Sequence, residues 1–65
     1  MNNKLNTKLI LDYIKNNNLT KKEFCRKCKI STSTLYKIIN EKDFQLIALF
    51  KIAKIMNLKP YRFFE

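Results

Sequence analysis

Glycine, histidine and tryptophan are absent from this chain of 65 residues, and proline occurs once, at Pro60. Turn-rich β folds draw on glycine and proline, so their scarcity favours long helices. With no histidine and no glycine-rich phosphate loop, and with only Asp12, Glu23, Glu41, Asp43 and Glu65 as carboxylates, no catalytic constellation can be assembled. Glu41 and Asp43 flank Lys42 and read as solvated loop charges. An enzyme is not expected. Long apolar runs are also missing: the longest, Leu46 to Phe50, is too short for a spanning helix or a signal-peptide core. A soluble, cytoplasmic protein is expected, with no membrane partner.

Cysteine is scarce but patterned, since Cys25 and Cys28 form a CxxC. A structural zinc takes four ligands, and there is neither a second such pair nor a histidine to complete the set. Inside a helix a spacing of three puts both thiols on one face, beside Phe24. They read as small reduced core residues, with an oxidation-sensitive pair as the other reading. No metal, cofactor or small-molecule ligand is expected.

What is present fits a small helical domain. The apolar fraction of 46% is that of a globular chain, and the length leaves room for one domain, residues 1–65, near the lower limit for a core without disulfides or metal. Leu9, Ile10, Tyr13 and Ile14 give a helical stripe over Leu5 to Asn17, closed by Asn16-Asn17-Asn18, since asparagine tolerates the left-handed conformation. Thr20 with Glu23 forms a T-x-x-E capping box that starts a second helix, running to about Cys28. Ser31 caps a third, with Leu35, Ile38 and Ile39 as its buried stripe, ending near Asn40. Gln45 to Met56 is apolar on more than one side and reads as a centrally buried helix. Asn57 ends it, and Lys59-Pro60 starts a last short helix, Tyr61 to Phe64.

The positive charge is concentrated. Between Thr20 and Lys42, seven basic residues (Lys21, Lys22, Arg26, Lys27, Lys29, Lys37, Lys42) stand against Glu23 and Glu41, a net +5 of the chain's +9. A basic helix pair whose second helix opens with small polar residues suits double-stranded DNA. Lys21 and Lys22 lie in the first turn of a helix, where cations oppose the macrodipole unless an anion approaches. Thr32 and Ser33 are short donors and acceptors, Lys37 can donate to guanine O6 or N7, and Tyr36 can stack on sugar or a thymine methyl or bond phosphate. The basic residues do not lie opposite one continuous apolar face, which weighs against a membrane surface.

These elements resemble the phage-repressor type of helix-turn-helix domain, the Cro/C1 or Xre-like family. The resemblance spans Leu19 to Phe64: LT-x-x-E at Leu19 to Glu23, small Cys25 where the family usually has alanine, I-S-x-S-T-L at Ile30 to Leu35, N-x-K at Asn40 to Lys42, L-x-x-L-x-x-I-A-K at Leu46 to Lys54, and L-x-P-x-x-x-F at Leu58 to Phe64. It implies an all-α, compact five-helix bundle with the helix-turn-helix formed by helices two and three. It also implies a sequence-specific regulator, most simply a small repressor, bound as a homodimer to a two-fold operator. Thr32, Ser33, Tyr36 and Lys37 are then the base-reading residues of a recognition helix in the major groove, and Lys21, Asn40 and Lys42 hold phosphates.

Three features depart from the family pattern. Lys29 stands where glycine is common, so a lysine has to take positive φ or the turn has to shift. Glu41 stands where glycine is frequent, in a loop about one residue shorter than usual. Ile14 and Ile39 replace an Arg–Glu pair, and an apolar pair can do so without loss because no charge is desolvated. A second function class also fits the scaffold: a protein-interaction module such as an antitoxin or a phage-encoded inhibitor.

Overall fold

The computed structural model describes residues 5–64; the remainder of the expected 1–65 domain lies outside the described residues. Among these, four α-helices, α1 (Lys8–Asn16), α2 (Lys21–Cys28), α3 (Thr32–Ile39) and α4 (Leu46–Met56), are followed by a 3₁₀ helix, Pro60–Phe64. The fold is therefore all-helical, and the fifth helix of the expected bundle is a 3₁₀ turn. Five residues beginning with a proline that lacks an N–H leave little ladder for an α-helix, and short pieces of this kind tighten to i→i+3 bonding.

A chain without glycine still has to stop its helices, and it does so four times in the same way. Asn18, Lys29, Glu41 and Asn57 follow the four helices with φ between 54° and 59°. At each one the next residue's N–H reaches back five positions: Leu19 to Ile14, Ile30 to Cys25, Lys42 to Lys37 and Leu58 to Ala53, at 2.9–3.0 Å. This is the Schellman closure, which satisfies carbonyls that the helix end would otherwise orphan. Leu19, Ile30 and Leu58 each pack against the core just past the turn, supplying the apolar contact that accompanies the motif. Lys29 takes the left-handed conformation at φ 59°, ψ 45°. The departure from glycine is thus absorbed as local strain, about 1–2 kcal/mol for a residue with a Cβ.

The starts of α2 and α3 are set by side chains, whereas those of α1 and α4 carry no side-chain cap. The Glu23 N–H donates to the Thr20 hydroxyl at 3.0 Å, and the Thr20 N–H donates to the Glu23 carboxylate at 2.8 Å, completing the expected capping box. Ser31 accepts from the Thr34 N–H at 3.0 Å and donates to the Thr34 hydroxyl at 2.9 Å. The first helix begins later than its stripe suggests. Leu5 and Asn6 spend their amides on tertiary bonds, to the Glu41 carboxylate at 3.1 Å and to the Phe63 carbonyl at 2.6 Å, so the segment runs across the bundle end before α1 starts.

The core joins Leu5, Ile10 and Ile14 to Phe24, Cys25 and Cys28 of α2, Leu35 and Ile38 of α3, Ala48, Leu49, Ile52 and Ala53 of α4, and Phe63. Cys25 and Cys28 are buried free thiols, as the shared face with Phe24 requires; burial raises both, Cys28 to about 11. Tyr13 and Phe24 set their rings 5.8 Å apart in a tilted pair, a favoured aromatic geometry. Ile14 is buried and Ile39 half-buried against this core. The expectation for α4 needs correction: it is buried on one face only. Leu46, Ile47 and Phe50 are about half exposed, because α2 and the 3₁₀ helix pack against α4 while Ala48, Leu49, Ile52 and Ala53 form the side turned to the core.

Candidate nucleic-acid interface

The helical repeat divides α3 cleanly. At about 100° per residue, Thr32, Ser33, Tyr36 and Lys37 fall within an arc of about 140°, and all four are exposed. Thr34, Leu35, Ile38 and Ile39 fill the other side, buried or half-buried. Leu35 and Ile38 have no accessible surface, so the helix cannot roll on its axis without exposing them. The outer arc is therefore held in one orientation by the core beneath it. Asn40 is exposed and follows Tyr36 by one turn, its N–H still bonded to the Tyr36 carbonyl at 2.9 Å, so it extends the same stripe.

The other expected phosphate holders lie off this stripe. Lys21 is the first residue of α2, exposed, beside the capping box. There the Thr20 backbone N–H first, then its hydroxyl, with the charges of Arg26 and Lys27, hold the Glu23 carboxyl below its ordinary range. Lys42 is exposed beyond the left-handed turn at Glu41. Glu41 itself, expected to be simply solvated, is exposed but bonded to the Leu5 N–H. That anchor ties the segment after α3 to the start of the described chain.

One basic residue next to this surface was missed in the sequence. Lys51, on α4, lines a cleft of about 300 Å³ together with Lys37, Thr34, Gln45 and Asp43. The α4 stretch reads as a buried apolar helix, which draws attention away from its lysines. Their spacing was the available signal: Lys51 and Lys54 sit three apart, off the stripe formed by Ala48, Leu49, Ile52 and Ala53.

Two successive short helices joined by a tight left-handed turn, the second presenting a polar and basic arc over a buried base, define a helix-turn-helix domain. A family model described as helix-turn-helix matches residues 10–63, nearly all of the described chain, and the chain belongs to this Cro/C1-type family. No individual curated protein and no solved structure matches it. Among the described residues no helix is long and apolar enough to cross a membrane.

Proposed function

We propose that this protein is a small repressor that binds double-stranded DNA sequence-specifically as one domain, with α3 in the major groove. Thr32, Ser33, Tyr36 and Lys37 read base edges; Lys21, Asn40 and Lys42 hold phosphates. The observation that carries the reading is the exposed arc of α3, locked by Leu35 and Ile38. Short hydroxyl side chains at its start let the helix approach the bases closely, while Lys37 reaches further. Membership of a DNA-binding family supports the same reading.

The operator complex contains two copies. Leu46 (55%), Phe50 (47%), Tyr61 (59%) and Phe64 (46%) are exposed, and the Leu5–Glu41 and Asn6–Phe63 bonds hold the 3₁₀ helix near the loop that enters α4. At about 200 Å² per large side chain, four half-exposed groups offer about 400 Å² per copy. A pair then buries about 800 Å², below the ~1,000 Å² of a stable interface. Two chains of +9 also repel. Such a contact is weak alone and gains strength when DNA neutralises the charge and holds both copies one helical turn apart.

Selection from a random duplex pool tests this. A two-fold consensus bound by two copies is expected; recovery of no consensus, with co-purification of one protein partner in the absence of DNA, would replace the reading with the interaction-module alternative.

A further inference from the structure

A second basic cleft, of about 250 Å³, lies between the end of α2 and the outer half of α4, lined by Lys27, Cys28, Lys29, Lys51, Lys54 and Ile55. Four of its six lining residues are lysines and none is a carboxylate, whereas the cleft beside Lys37 contains Asp43. Of these lysines, Lys51 is shared with that first cleft, so the basic surface continues from α3 around α4. The floor is apolar, formed by Cys28 and Ile55. Lysine stems can lie along such a floor with their ammonium groups at the rim. Four like charges gathered around one concavity repel one another, and the repulsion is relieved by a multiply charged anion seated among them. Ammonium groups act as point charges suited to phosphate oxygens, and a run of phosphates sets several charges side by side where a single carboxylate supplies one.

We propose that this α2–α4 cleft is a second phosphate-binding site, separate from the α3 arc, that takes a run of phosphate groups on Lys27, Lys29, Lys51 and Lys54. The phosphates come either from the backbone of duplex DNA flanking the operator or from a free polyphosphate. The first source rests on the DNA-binding reading; the second does not.

The experiment compares wild type with a Lys27→Gln, Lys54→Gln double variant and with a charge-matched control, Lys8→Gln, Lys59→Gln, whose residues are exposed and line neither cleft. Each protein is titrated with inorganic tripolyphosphate by calorimetry. Each is also titrated with the selected site carrying short or long flanks, and with an unrelated duplex of the longer length, at several salt concentrations. Backbone binding predicts that long flanks tighten wild type and that the double variant loses this gain, with a salt slope lower by about two units. Binding of free phosphate predicts one tripolyphosphate per wild-type chain and at least tenfold weaker binding by the double variant, with the flank effect intact. Either result supports the site. If the double variant and the control behave alike in both titrations, the proposal is overturned. Failure to select any duplex sequence would count against the DNA reading alone, since the tripolyphosphate titration would still report on the cleft.

Discussion

The backbone N–H of Leu5 donates to the Glu41 carboxylate at 3.1 Å, across a separation of 36 residues. Glu41 is also the left-handed residue that closes α3, at φ 57°. One side chain therefore pins the chain ahead of α1 to the end of α3, at a position where its own backbone is strained. Lys29 closes α2 with the same strain and, exposed as it is, forms no comparable bond.

That contrast gives the first prediction. Lys29→Gly relieves about 1–2 kcal/mol of left-handed strain and gives back about 0.5–1 kcal/mol in unfolded-chain entropy. A rise in melting temperature of a few degrees is expected, at about 4–8 °C per kcal/mol for a domain of this size. Glu41→Gly relieves the same strain but leaves Leu5 without its acceptor, so its melting temperature should stay level or fall. Equal rises in parallel thermal melts would mean that the Leu5–Glu41 bond contributes nothing.

Neighbouring phenylalanines give the second. Phe63 is fully buried while Phe64 is 46% exposed. Phe63→Ala should cost about 3–5 kcal/mol, comparable with the whole stability of so small a domain at about 0.05–0.15 kcal/mol per residue, and should abolish cooperative unfolding. Phe64→Ala should melt close to wild type but bind the operator with less cooperativity, read as a lower Hill slope. Similar melting of both variants would put the phase of the 3₁₀ helix in error.

Shifted groups bound the pH range at both ends, Glu23 on the acid side and the buried thiols Cys25 and Cys28 on the alkaline side. The Thr20 N–H and hydroxyl hold Glu23 below its ordinary value of 4.5, so the capping box contributes fully above that value. Its contribution is lost as pH falls through the lower folded value. Burial raises Cys28 from 9.0 to about 11, so the neutral thiol's contribution is complete below pH 9.0 and is lost as pH rises toward 11. Glu23→Gln should flatten the acid limb and Cys28→Ala the alkaline one. Denaturant unfolding across pH checks both, and an unchanged acid limb in Glu23→Gln would remove the capping box as its cause. In the native protein both buried thiols should resist alkylation at neutral pH until the chain unfolds.

Base reading and backbone holding should fail differently. Lys37→Ala should lose about 1–3 kcal/mol on the selected site and relax preference at one base pair. Lys21→Ala should weaken all duplexes alike and lower the salt slope by about one unit per bound site. Thr32 and Ser33 should follow Lys37 with smaller losses. Equal, sequence-independent losses from all four, measured on the selected and a scrambled duplex, would remove α3 from the groove.

Much of this was legible without coordinates, because the decisive signals are local. The Thr20–Glu23 capping box, the Ser31 cap, the asparagines that end α1 and α4, and the division of α3 into an apolar and a polar side all follow from interactions within about one turn. The family pattern marked Lys29 as a position where a lysine takes positive φ or the turn shifts, and the structure shows the first, at φ 59°. The helix-turn-helix motif and the polar arc of α3 were thus legible from residue type and spacing, while the orientation of that arc rests on the packing of Leu35 and Ile38.

Tertiary structure decided what depends on partners distant in sequence. It set Leu5 and Asn6 ahead of the first helix, their amides bonded to Glu41 and to the Phe63 carbonyl, with α1 starting at Lys8. It left Leu46, Ile47 and Phe50 outside the core, since hydrophobicity records a preference for burial but not which face the neighbouring helices cover. It also gathered Lys27 and Lys29 with Lys51 and Lys54 around one cleft. Helical periodicity fixes which way a side chain faces on its own helix; only the packing of α2 against α4 determines which other side chains it meets there.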